Sequence, residues 1–144
     1  MVDVTEKADT ARFARATGTI RMDRSTLEAI LANTVKKGDV VAVARVAGIL
    51  AAKRTAELIP LCHSIPLSDV QVTVTADHAV PGLHVESVVR TVGKTGVEME
   101  ALTAAAVTLI TVYDMAKALD KGMVISDIRL LEKDGGRTGR WVRP

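Results

Sequence analysis

Apolar and polar positions along this chain change period several times, and each change marks an element. Met1 to Phe13 is mostly polar and charged and reads as a loose arm. Ala16 to Met22 then alternates as a first strand. Ser25-Thr26-Leu27-Glu28 has the form of a capping box, with the serine hydroxyl accepting from a first-turn amide and the glutamate reaching back. The helix it opens is expected to stop at Gly38, and Asp39 to cap a second helix running to about Leu58, before Pro60. Val70, Val72 and Val74 alternate with Gln71, Thr73 and Thr75 as a second strand. His78 to Gly82 forms a turn, and Leu83 to Val92 a third strand. A long apolar run from about Val97 to Leu119 has helical length, and Met123 to Leu131 makes a last strand before a glycine-rich tail.

If the two early helices form one crossover, the order is strand, helix, strand, strand, helix, strand. That is the split β-α-β pattern of ferredoxin-like folds. The expected class is therefore α+β, with a four-stranded antiparallel sheet and helices packed on one face. No repeat or linker divides residues 1–144, so they read as a single domain.

Composition narrows the function classes. The apolar residues are mostly Ala and Val, with one each of Phe, Tyr and Trp, so base-stacking platforms are scarce. A formal net charge of +2 is too small to imply a polyanionic partner such as RNA. The lone Cys62 excludes an intramolecular disulfide and points to a reducing compartment. No signal peptide is visible, and the Val40 to Ala52 run is interrupted by Arg45 and too short to span a bilayer. A cytoplasmic protein, without a membrane or nucleic-acid partner, is expected.

The long helix carries the most informative chemistry, with Glu98 and Glu100 at its start and Asp114 and Lys117 at its end. Asp114 and Lys117 are three apart and share a face, where each biases the other's ionisation. Glu100 lies fourteen positions before Asp114, roughly 21 Å along the axis at about 1.5 Å per residue. One small substrate does not easily touch both within one chain. A symmetric dimer would bring the head of one helix near the foot of its neighbour's.

Gly93-Lys94-Thr95-Gly96 looks like a nucleotide loop but is not one. A P-loop needs a further glycine five positions earlier, where this chain has Val88. What remains is a turn feeding a helix N-terminus, which can attract an anion. His63 sits between Pro60 and Pro66 in a stiff loop, and imidazole both gives and takes protons near neutral pH. The other histidines, His78 and His84, complete no zinc-like spacing with Cys62. The tail from Lys133 to Arg140 combines glycines with bases suited to phosphate. Lys37, before Gly38, has the place of a lysine complementing a helix C-terminus.

The segments Lys37-Gly38-Asp39-Val40, Ala51 to Thr55, Leu58 to His63, Gly93 to Ala105 and Tyr113 to Ala118 together resemble the MoaC family, the cyclic pyranopterin monophosphate synthases of molybdenum-cofactor biosynthesis. The likeness runs from Val2-Asp3-Val4 to the tail. It implies a homohexamer built as a trimer of dimers, with active sites at the dimer interface. It also implies a lyase that takes a cyclised dihydro-GTP to cyclic pyranopterin monophosphate with release of diphosphate. By position, the resemblance makes Asp114 the catalytic acid/base and Lys117 its partner. Leu61, Cys62, His63, Met99 and Glu100 match substrate-binding stretches, with Glu98 beside them. Lys37, Lys133 and Arg12 match basic active-site positions, which would order the N-terminal arm over the site. No cofactor is required and no metal site is implied, although Mg2+ accompanying the triphosphate is compatible with the chemistry. The competing reading is a non-catalytic nucleotide sensor, since fold does not dictate function.

Overall fold

The computed structural model describes residues Met1–Pro144. In chain order the elements are β1 (Thr10–Arg21), α1 (Arg24–Leu31), α2 (Val40–Lys53), α3 (Thr55–Leu58), β2 (Asp69–Asp77), β3 (Gly82–Gly93), α4 (Glu98–Ala116), β4 (Val124–Asp134) and β5 (Trp141–Val142). All strand pairings are antiparallel, in the order β2-β3-β1-β4-β5. The class is α+β, as expected, but the sheet has five strands and not four. The extra strand comes from the tail, where Trp141 and Val142 pair with Lys133 and Glu132. Two residues are too few to show an alternation, which is why the sequence reads there only as a glycine-rich tail.

α2 packs on α4, and α4 lies against β1, β3 and β4. The core is built from small residues because it must admit these close approaches. Ala14 and Ala16 of β1 and Val89 of β3 meet Val97 and Ala101 at the head of α4. Further along, Ala104, Ala105, Leu109, Val112 and Ala116 join Ile20, Leu83, Val85, Val40 and Ala44 in the main cluster. Strand side chains alternate between faces. Arg15, between Ala14 and Ala16, accordingly turns to the other face, where it bridges Glu86 and Glu132.

Gly48 sets the distance between α2 and α4. A Cβ there would stand 2.1 Å from Thr108 Oγ1 and 2.9 Å from the Ala104 carbonyl oxygen. The Thr108 hydroxyl donates back to that same carbonyl at 2.7 Å, so it does not simply swing away.

Several boundaries differ from the sequence reading. β1 begins at Thr10, inside the supposed arm. α1 is capped from Asp23, whose side chain makes no capping bond, so the Ser25 capping box is not formed. That helix ends at Leu31 and not at Gly38, because Asn33 takes a left-handed conformation at φ 56°. Asp39 does cap α2, accepting from the Ala42 amide at 2.9 Å. The second helical run breaks at Arg54 into α2 and the single turn of α3.

α4 is also the one helix long and apolar enough to cross a membrane, a feature that the Val40 to Ala52 run does not have. Of its most apolar stretch, 56% is buried within the fold, so the apolarity is already used by the core.

Candidate active site

The foot of α4 presents a carboxylate held by two lysines. Lys117 Nζ donates to Asp114 Oδ1 at 2.7 Å, from the position that caps the helix. Lys37 Nζ, in the loop before α2, donates to Asp114 Oδ2 at 2.8 Å and to the Asp114 carbonyl at 3.1 Å. Lys37 thus serves the C-terminus of α4, not that of a helix of its own. Gly38, at φ 112°, turns the chain between Lys37 and the Asp39 cap. The hydrogen bond from Lys117 and then that from Lys37 hold the Asp114 carboxyl down to about 2. Asp114 in turn raises the Lys117 ammonium above its ordinary value. At neutral pH the cluster is therefore one carboxylate between two cations.

The head of α4 is chemically different. Glu100 is only 3% exposed, and its Oε2 has no hydrogen-bond partner. Its Oε1 accepts from the Cys62 thiol at 3.8 Å. Burial pushes the Glu100 carboxyl above the ordinary range, and Glu98 nearby adds to this, against opposing bonds from its own amide and from Cys62. Burial, and then Glu100, raise the Cys62 thiol. The sequence reading treats Glu100 as a charge able to reach a cleft, yet it faces inward. His63 Nε2 lies 2.7 Å from the Val2 carbonyl. A carbonyl only accepts, so Nε2 carries the hydrogen and a neutral ring keeps Nδ1 free to take a proton. Leu61 and Met99 are exposed beside this group.

A third group lines a cleft of about 750 Å³ between the arm, the 93–96 turn and the tail. Arg12 Nε and Nη2 donate to the carbonyls of Gly93 and Lys94 at 3.2 and 3.1 Å. Lys133 Nζ meets Glu98 Oε1 at 2.9 Å. The arm is not loose: besides the Val2 contact, its Thr5 carbonyl accepts from Lys94 Nζ at 2.9 Å. Leu61, Cys62, His63, Met99 and Glu100 do not line this cleft, and neither does the Lys37, Asp114 and Lys117 cluster. The candidate residues thus fall into separate groups near the two ends of one helix. The cleft also holds Lys7 and Lys94, which the sequence reading does not make site residues, and Arg137, which it includes only within the basic tail. The basic, glycine-rich tail points to Arg137, whereas setting aside the P-loop draws attention away from Lys94. No three His, Cys, Asp or Glu side chains converge anywhere in the chain.

Comparison with known proteins places this geometry in a lineage. The model of the MoaC family matches residues 1–136. A cyclic pyranopterin monophosphate synthase of Chloroflexus aurantiacus is 58% identical over 144 residues, covering 100% of this chain and 88% of the relative. Synthases of Cereibacter sphaeroides and Heliobacterium modesticaldum are 56% and 54% identical, covering 98% and 99% of this chain and 89% and 90% of theirs. A likeness that spans both ends of α4, the arm and nearly all of the tail leaves one conclusion: this chain belongs to the MoaC family.

Proposed function

We infer that this chain is an enzyme of molybdenum-cofactor biosynthesis that converts a cyclised dihydro-GTP to cyclic pyranopterin monophosphate and releases diphosphate. The observation that carries the reading is an ionised Asp114 clamped between Lys37 and Lys117, in a chain 58% identical to a synthase over its whole length. Closing the cyclic phosphate requires a sugar hydroxyl to attack the α-phosphorus. The bond from that phosphorus to the bridging oxygen breaks, diphosphate leaves with the bond's electrons, and the hydroxyl proton passes to a base. Asp114 is an acceptor of suitable charge for such a proton. Lys117 and Lys37 stabilise charge developing on phosphate oxygens and return protons to the rearranging ring. Any Mg2+ enters with the triphosphate, as part of the substrate.

The active site joins two chains. Asp114 stands about 21 Å from Glu100 along α4, too far for one small substrate, so the head of one helix completes the foot of another. Val43, Val46 and Leu50 make an exposed apolar stripe on α2, and Ile110 is exposed on α4, which supports association. A trimer of dimers in the cytoplasm is the proposed assembly. Its subunit is a ferredoxin-like unit, with β2, β3, β1 and β4 as its sheet and β5 as an appendage.

The test is direct. Purified protein given the cyclised nucleotide should release diphosphate and form the cyclic pterin, and Asp114→Asn should bind substrate without converting it. A folded, oligomeric protein that yields neither product would sink the assignment. A protein whose Asp114→Asn variant keeps full function would be a sensor and not a catalyst.

A further inference from the structure

Lys117 stands one residue beyond the end of α4, so the helix ladder alone does not fix its side chain. From there the chain runs through a short loop, Lys117 to Gly122, before Met123 re-enters the core. Lys117, Ala118, Leu119, Lys121 and Gly122 are all exposed. Burial therefore holds little of this loop, and its shape depends on hydrogen bonds. A lysine ammonium is a point charge on a flexible stem, and on a loose loop it would spread over many positions. Yet Lys117 Nζ meets Asp114 Oδ1 at 2.7 Å.

Tyr113, the neighbour of Asp114, grips this loop near both ends. Its carbonyl accepts from the Lys117 amide at 2.9 Å, and its hydroxyl donates to the Lys121 carbonyl at 2.9 Å. The ring packs against the main core cluster, so the hydroxyl is presented from a fixed base. Asp120 supplies a second pin. Its Oδ1 accepts from the Gly122 amide at 2.8 Å, and its Oδ2 from the Asp23 amide at 2.9 Å. Asp23 caps α1, and the chain that leaves α1 carries Lys37. Asp120 thus ties together the two segments that bear the lysines, while the lysines themselves pair with Asp114.

We propose that Tyr113 is a positioning residue of the candidate active site, its hydroxyl pinning the Lys117–Gly122 loop so that Lys117 stays seated on Asp114, with Asp120 pinning the same loop to the start of α1. Neither residue reaches the reacting atoms; both act through Lys117. The effect on turnover rests on the functional reading above, whereas the effect on the Asp114 and Lys117 pair does not.

Tyr113→Phe keeps the ring in the core and removes only the hydroxyl, and Asp120→Ala removes the second pin. Two measurements read each variant, turnover of the cyclised nucleotide and the titration of Asp114 by carboxyl-carbon NMR. Each variant should lower kcat by about three- to tenfold, the scale of one neutral hydrogen bond, and leave KM within about twofold, because the loss falls on the transition state. The Asp114 titration should rise from about 2 toward its ordinary value of 3.8, since the bond from Lys117 is the largest cause of its depression. Gly48→Ala strains the packing of α2 on α4 away from this loop and serves as the control for general destabilisation. It should move neither readout. Unchanged kcat and an unchanged Asp114 titration in Tyr113→Phe would overturn the proposal, even if Asp120→Ala showed both effects, for the loop would then hang from α1 alone. Equal losses in Gly48→Ala would also overturn it, because the effect would be one of stability. A raised Asp114 titration in Tyr113→Phe, in a parent protein that never converts the cyclised nucleotide, would remove the activity and leave the positioning role standing.

Discussion

The Lys37 ammonium lies 2.8 Å from Asp114 Oδ2 although 77 positions separate the two residues. With Lys117 on Oδ1, it keeps this exposed carboxyl ionised at neutral pH, its value held down to about 2. Replacing Lys37 by Met should move the Asp114 titration upward toward the ordinary carboxylate value, read by carboxyl-carbon NMR. A depressed value means that the ion pairs support the fold above the ordinary value of 3.8 and lose that support as pH falls through about 2. The stabilities of the parent and Asp114→Asn should therefore converge across that acid window. Turnover of Asp114→Asn should fall by about 10²- to 10⁴-fold, the usual contribution of a positioned acid or base.

Glu100 behaves in the opposite sense. Its value is raised by burial, so the neutral acid favours the fold below the ordinary carboxylate range, and that support is lost as pH rises through the raised value. Glu100→Gln does not titrate, and its melting temperature relative to the parent should rise as the pH is raised above the ordinary carboxylate range. Because Glu100 also raises the Cys62 thiol, the same variant should alkylate faster at Cys62 near neutral pH. Equal alkylation rates would show that the two groups are uncoupled.

Gly48→Ala should destabilise the fold by about 1–3 kcal/mol, because its methyl group enters the space of Thr108 Oγ1. Adding Thr108→Ala should recover part of that loss and not all of it, since the Ala104 carbonyl still stands 2.9 Å from the new carbon. A double-mutant cycle in denaturant measures the coupling, and strict additivity would place the strain elsewhere.

These sites differ in how far they could be read from sequence. The Val70, Val72 and Val74 alternation yields β2, and Asp39 yields the start of α2, because each is written within a few neighbouring residues. The Ser25 box fails because a local pattern cannot say which of two nearby residues, Asp23 or Ser25, leaves the helix first. Asp23 does so here, and Asn33, not Gly38, provides the left-handed stop. The lysine clamp on Asp114 depends on the 77-residue closure of the chain, which no spacing rule contains. The burial of Glu100 is equally non-local, since Cys62 arrives from a loop 38 positions away. The contrast between the two ends of α4, an exposed carboxyl held down by two lysines and a buried one pushed up by desolvation, therefore emerges only from the folded chain.

The central claim is that one catalytic site takes Asp114 from one chain and the His63 and Glu100 group from another. The most direct test mixes Asp114→Asn subunits with His63→Ala subunits, each inactive alone, and measures diphosphate release by the mixed oligomers. Random pairing should restore up to about a quarter of the parent activity, because half of the symmetric dimers are mixed and each has one intact site of two. Verified mixed oligomers with no turnover above either variant alone would contradict the shared site.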